Sequence, residues 1–420
     1  MTAFENLGLS QPLLKALAAQ NYCVPTPIQA RAIPVLLGGR DLLGIAQTGT
    51  GKTAAFALPI LDRLSARGTR PRAGACHALI LSPTRELCAQ IGSAVREYGR
   101  FSQLSVATVY GGVSINRQLQ AVRPGVDIVV ATPGRLVDLV DRRALSLENV
   151  SMFVLDEADQ MLDLGFIHAI RKITRHLPKR RQSMFFSATM PKEIASLARE
   201  LLNDPVRLEI TPAATTVESV NQQVIHLSAG NKLPVLVDLL NTMPRSIVFT
   251  RTKRGADRLT RGLSAASIHA LAIHGNKSQA QRERVLSKFR NGQTTVLVAT
   301  DIAARGIDID EVSHIVNYDL PEIPESYVHR IGRTARAGAR GVAISFCEPE
   351  QRPLLRAIEQ LIRTDIQPVD HSLASRPLPG ELKPVRTRDN NQRRTGDMKR
   401  RRKSSQRRRN SRLADQRLSA

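Results

Sequence analysis

Six short apolar runs, "DLLGIA", "HALILSPT", "SVATVYGG", "DIVVATP", "MFVLDEA" and "QSMFFSAT", punctuate the first half of the chain. Their apolarity is continuous rather than alternating, which marks strands buried on both faces and therefore a mainly parallel sheet covered by helices on either side. The segments between them fit crossover helices; "LCAQIGSAVREYGRF", for example, spaces its apolar residues at the helical period. "TPAATTVESV" then shows no periodicity and reads as a linker over 211–220. A second series follows: "QQVIHL", "SIVFT", "ALAIHG", "TVLVATD", "HIVNYDL" and "GVAISF", closed by the helical "LLRAIEQLIRT". The fold class is thus α/β, with two tandem units over 1–210 and 221–370 and a tail over 371–420. A length of 420 residues with 42% hydrophobic content accommodates two cores and an extra segment. In such sheets ligands bind beyond the carboxyl ends of the strands, so the cleft between two linked sheets is the natural site.

The formal net charge is +24, which points to a polyanionic partner, most simply nucleic acid. Residues 376–420 hold 16 Lys/Arg against 4 Asp/Glu, half of the excess. With few apolar residues and strong self-repulsion, this tail is expected to be disordered in isolation and to bind phosphate; a solubilising end or a nuclear address is the bland alternative. The four cysteines are scattered without a CxxC pair, arguing against a disulfide scaffold or a zinc site. The start "MTAFENLGLS" has no signal-peptide pattern and no run approaches a membrane span, so a soluble, cytoplasmic protein with no membrane partner is expected.

"LLGIAQTGTGKTAAFALPIL" gives strand, glycine loop and helix. Ala46, Gln47, Thr48, Gly49, Thr50, Gly51, Lys52 and Thr53 match the P-loop pattern, except that alanine stands at its first glycine. The glycines let successive N–H groups turn toward phosphate oxygens at a helix N-terminus. Lys52 is placed to reach the β and γ phosphates of ATP, and the Thr53 hydroxyl to meet Mg²⁺. The metal needs a carboxylate partner, and Asp156, ending the apolar "MFVLD", stands where a Walker B aspartate would; Glu157 beside it can orient or deprotonate the attacking water.

The tetrapeptide at Asp156 to Asp159 resembles the signature of the DEAD-box ATP-dependent RNA helicases. Other motifs follow the same order: "PTPIQ" (25–29), "PTREL" (83–87), "GG" (111–112), "TPGR" (132–135), "SAT" (187–189), "VFTRT" (248–252), "TDIAARGID" (300–308) and "HRIGRTARAG" (329–338). The resemblance spans about residues 4–365 and is similar to the bacterial RhlE-type members in particular. It implies two RecA-like domains, ATP-dependent RNA binding and local duplex separation.

By the same resemblance, Gln29 reads the adenine edge and Tyr22 offers a stacking face, with Asn21 where the family usually has glycine. Asp159 accepts hydrogen bonds from the hydroxyls of Ser187 or Thr189, coupling nucleotide state to RNA. Arg333 and Arg336, three apart and so able to face one cleft from a helical turn, are arginine fingers. Ala335 departs from the family's usual glycine between them. Gly306 and Asp308 approach the nucleotide, Asp308 meeting the ribose. Thr84, Arg85, Gly112, Thr132, Gly134 and Arg135 contact RNA from the first domain, and Arg284 of "QRER" with Thr300 from the second. Aromatic content is 4% with no Trp, which disfavours base-stacking platforms and favours backbone binding of weak sequence preference. Ribosomal and mRNA-decay complexes are partner classes served by this core. An ATP-gated RNA clamp or scaffold and a DNA helicase remain alternatives, which the intact Glu157, Arg333 and Arg336 and the DEAD-type motif set respectively disfavour.

Overall fold

The computed structural model describes residues 3–47, 49–210, 220–228, 230–301, 312–335 and 341–374. Thr48, Gly306, Asp308, Arg336, nearly all of the expected linker and the basic tail lie outside them.

The first sheet contains β1 (Leu42–Ile45), β2 (Cys76–Leu81), β3 (Val106–Val109), β4 (Val126–Ala131), β5 (Met152–Leu155), β6 (Gln182–Ser187) and β7 (Val206–Glu209), in the order β3-β4-β2-β5-β6-β1-β7. The second contains β8 (Val220–His226), β9 (Ser246–Phe249), β10 (Ala270–Ile273), β11 (Val296–Ala299), β12 (His314–Asn317), β13 (Gly341–Cys347) and β14 (Gln367–Pro368), in the order β10-β11-β9-β12-β13-β8-β14. Every pairing is parallel.

All twelve apolar runs are strands. β2, β4, β5 and β6 are buried along their whole length. Alternate residues of one strand enter different cores: Ile128 and Val130 pack with Phe56, Ile60 and Ile91, whereas Val129 and Ala131 pack with Leu136, Ile170 and Leu197. This two-sided burial is why the runs carry no polar face.

Three boundaries differ from expectation. Val220 opens β8 rather than ending the linker. β7 and β14 are additional outer strands. Residues 371–374 belong to the second fold unit rather than the tail: Ala374 is buried, and its carbonyl accepts hydrogen bonds from Ser228 N–H at 3.1 Å and Asn231 Nδ2 at 3.0 Å.

Candidate active site and nucleic-acid face

The loop after β1 begins by donating the Ala46 N–H to the Ser187 carbonyl on β6 (3.0 Å). It then curls through Gly49 (φ 86°) and Gly51 (φ 91°) into the helix Lys52–Arg67. A Cβ at Gly51 would collide with the Gln29 amide, so only glycine brings the loop this close. Lys52 is buried and reaches across the loop to the Ala46 carbonyl (2.9 Å), while Thr50 Oγ1 donates to the Gln47 carbonyl (2.8 Å). A cavity of about 540 Å³ opens over this helix N-terminus and is lined by Thr53, Asp156, Glu157 and, from the second sheet's side, Arg333.

Asp156 and Glu157 are only 2% and 3% exposed. Burial drives the Asp156 carboxyl up to about 7, with Lys52 opposing and Glu157 adding to the rise. Its Oδ1 is buried without a hydrogen-bond partner among the described residues. Glu157 sits in the left-handed region (φ 55°, ψ 53°), uncommon for a residue with a side chain and characteristic of backbone constrained at a site. Asp159 does a different job. Its Oδ2 accepts from Thr189 Oγ1 (3.0 Å), Thr189 N–H (2.9 Å) and Ala188 N–H (3.1 Å). Of the two hydroxyls expected to reach this carboxylate, Thr189 does so, while Ser187 Oγ accepts from the Asp159 N–H (3.3 Å) and donates to the Thr189 carbonyl (2.8 Å). His329, from the second half, comes within 4.0 Å of Asp159 Oδ2.

At the other end of the cavity, Tyr22 lies edge-on to Tyr98, centroids 5.9 Å apart, and remains 39% exposed. Asn21 adopts φ 60°, a conformation that asparagine tolerates better than most side chains, which accounts for asparagine serving where glycine was expected. Gln29 is committed to backbone: Oε1 accepts from Thr26 N–H (2.9 Å) and Nε2 donates to the Gly51 carbonyl (3.1 Å). It therefore ties the helix Pro27–Leu37 to the phosphate loop, keeping one amide proton and one lone pair for a base.

Arg336 lies outside the described residues, and of the expected pair only Arg333 is placed, beyond the end of a helix rather than within one. The helix Pro324–Ile331 stops at Gly332, Thr334 Oγ1 donates to the Val312 carbonyl, and Ala335 takes φ 55°. Arg333, 4% exposed, reaches the cavity from the turn that follows, its Nε donating to the His329 carbonyl (3.3 Å). Arg330, unassigned from sequence, is a structural post: it grips Asp301 through two bonds (2.5 and 2.7 Å), Asn317 Oδ1 (3.1 Å) and the Asp319 carbonyl (2.7 Å).

A second cavity, about 470 Å³, joins the two halves away from the phosphate loop. Thr84, Arg85, Thr132, Gly134 and Arg135 line it from the first, Gly275 and Arg282 from the second. Thr84 caps the helix Arg85–Tyr98 by accepting from Leu87 N–H (3.3 Å), and Thr132 precedes the helix Pro133–Asp141, so two helix N-termini face this space. Gly112 (φ 79°) packs so closely on Arg85 that a Cβ there would strike the guanidinium. Arg135 donates to Gln118 Oε1 (3.0 Å) and the Val113 carbonyl (3.3 Å).

Arg284, expected on this face, does not line the cavity; Arg282 does. On the helix Gln279–Arg290 the buried residues are Gln279, Arg282, Leu286 and Phe289, and Arg284 lies about 200° around the helix from Arg282. Arg282 forms a buried ion pair with Glu86 across the halves (2.9 Å), whereas Arg284 lines a separate groove. The spacing back from Leu286 and Phe289 carried that signal in the sequence. Thr300 is buried at the end of β11, its N–H near the Ile273 carbonyl (3.4 Å), and does not line the face.

Comparison with known proteins places these features in one context. The DEAD/DEAH box helicase profile matches residues 26–197 and the helicase conserved C-terminal domain matches residues 231–338. RNA helicase CrhR of a Synechocystis species is 47% identical over 87% of this chain and 74% of its own length. The DEAD-box ATP-dependent RNA helicase CshA of Geobacillus kaustophilus is 42% identical over 87% and 78%. Among solved structures, S. cerevisiae Dbp5 bound to RNA and ADP BeF3 superposes with a TM-score of 0.78 at 35% identity, covering 88% of this chain and 96% of that one. With two parallel sheets joined around a phosphate loop and a buried Asp-Glu pair, the chain is a tandem RecA-like protein and belongs to the DEAD-box helicase family.

Proposed function

We propose that this chain is an ATP-dependent RNA helicase that couples ATP hydrolysis to local opening of RNA duplexes or remodelling of ribonucleoproteins. The observation that carries the reading is the shared cavity in which Lys52, Asp156 and Glu157 of one half meet Arg333 of the other. ATP binds with its triphosphate on the loop 46–53 and its base toward Tyr22 and Gln29. Phosphate oxygens draw the Lys52 ammonium away from the Ala46 carbonyl. Glu157, fixed by its backbone conformation, takes the proton of the attacking water, and Arg333 faces the charge that develops on the transferred phosphoryl oxygens.

The orphaned Oδ1 of Asp156 and the hydroxyl of Thr53 offer hard oxygen donors of the kind Mg²⁺ accepts. Mg²⁺ held there would neutralise β- and γ-phosphate charge.

RNA lies along the second cavity, its phosphates at the helix N-termini after Thr84 and Thr132 and beside Arg85. Such contacts are indifferent to base identity. Because Glu86–Arg282 and Asp159–His329 span the halves, RNA binding and nucleotide state both act on closure. Steady-state ATP hydrolysis measured with RNA, with DNA and with neither tests the reading. Stimulation by RNA alone is expected; equal rates in all three conditions would overturn it.

A further inference from the structure

The helix Gln279–Arg290 borders a groove on a second edge. Opposite Arg282, a groove of about 600 Å³ runs along the outer strand β10, between this helix and the helix Lys253–Ala265. Its floor includes Leu271 and Val285; its rim carries Arg261, Lys277, Arg284 and Lys288. One carboxylate, Asp257, also lines it, but Oδ1 of that group already takes Lys277 Nζ (3.0 Å) and His274 Nε2 (3.0 Å), and its pKa is lowered. The side chains of Arg284 and Lys288 are exposed and have neither an ion pair nor a hydrogen bond among the described residues, and the Arg261 side chain only donates to the Asp257 carbonyl of its own helix (3.4 Å). This differs from the RNA face, where Arg135 and Arg282 are both engaged by protein groups.

Three cations without a carboxylate partner on an apolar-floored groove fit a polyanion. The chain's own tail is excluded as occupant by its sign, since 376–420 carry a net +12. The groove also adjoins the RNA face through one loop: Gly275 lines the RNA cavity and Lys277, two residues on, lines the groove. We propose that this groove holds the phosphate backbone of an RNA segment flanking the one bound between the halves, as that strand leaves over the loop 274–278. The proposal rests on the RNA reading above and adds a length-dependent site to it. Short RNA engages only the inter-domain face; longer RNA gains the groove.

The test uses the full chain and its Arg261→Gln/Lys288→Gln variant, neither residue belonging to the nucleotide cavity or the RNA face. Fluorescence anisotropy with a non-hydrolysable ATP analogue is read for oligouridylates of about 8 and about 16 nucleotides over a salt series. The variant should bind the short oligomer within about twofold of wild type and the long one roughly tenfold more weakly, with the long oligomer's log–log salt slope reduced by about 1.4, the loss of two phosphate contacts to single-stranded RNA. Unchanged affinity for the long oligomer, or equal losses on both lengths, would overturn the proposal. So would saturable binding of a polyglutamate peptide that the variant loses while keeping its RNA affinity, which gives the groove to an acidic protein. Wild-type ATPase stimulation by the short oligomer serves as the control: its absence sinks the helicase reading, whereas its presence with length-independent binding sinks only the groove.

Discussion

The two sheets share a strand order, and each is followed at its first strand by a helix that starts with a lysine. In the first half Lys52 follows Gly51 (φ 91°); in the second Lys232 follows Gly230 (φ 86°) by two residues. Their surroundings part there. Lys52 has no ion pair among the described residues and opens onto a cavity. Lys232 is clamped by Asp319 (3.1 Å) and Glu348 (3.0 Å), with Gln351 at 3.4 Å, while the Ala374 carbonyl closes over Ser228 and Asn231. The same topology thus leaves Lys52 open to a ligand, the phosphate of the proposed function, and makes Lys232 part of a structural ion pair where carboxylates reach it. The second half instead donates Arg333 to the first half's site.

This contrast predicts opposite phenotypes. Lys52→Ala should lower RNA-stimulated ATP hydrolysis by about 10²–10³-fold, as loss of one aimed cation does, while costing only about 1 kcal/mol of stability for one hydrogen bond. Lys232→Ala should lower unfolding free energy by about 3 kcal/mol, because it removes the one ammonium that Asp319 and Glu348 share and leaves them only backbone N–H partners, with turnover by the folded fraction retained. Denaturant unfolding alongside ATPase assays checks both; a stability loss for Lys52→Ala as large as that for Lys232→Ala would erase the distinction. On the inter-domain face, Arg282→Ala should weaken RNA-stimulated turnover about tenfold by leaving Glu86 buried and alone, whereas Arg284→Ala should stay within about twofold on short RNA. The reverse ranking would restore the sequence assignment. The smallest effect belongs to the turn carrying Arg333. Ala335→Gly removes a methyl from a left-handed backbone at some cost in unfolded-chain entropy, a net gain of about 0.5 kcal/mol. An unchanged or reduced midpoint of unfolding would show that the turn stores no such strain.

Much of the site was legible because its chemistry is local in the chain. The phosphate loop and Asp156–Glu157 each follow an apolar strand directly, so the strand positions them without help from elsewhere. β7 and β14 escaped notice because they are short and partly exposed, lacking the continuous apolarity of the inner strands. The Lys232 clamp and the Arg330 post join residues 87 and 29 apart, distances over which periodicity says nothing. Gln29 was legible as a residue but not as a bond: expected at an adenine edge, its amide also donates to the Gly51 carbonyl of the phosphate loop.

In the proposed function Glu157 acts on the water while the rest of the cavity holds ATP and, through closure, RNA. Glu157→Gln keeps the shape and removes the base, so turnover should fall by at least about 10²-fold while ATP-dependent RNA binding, followed by anisotropy, persists at wild-type affinity. Hydrolysis at the wild-type rate, or loss of ATP-dependent RNA binding together with turnover, would contradict the account.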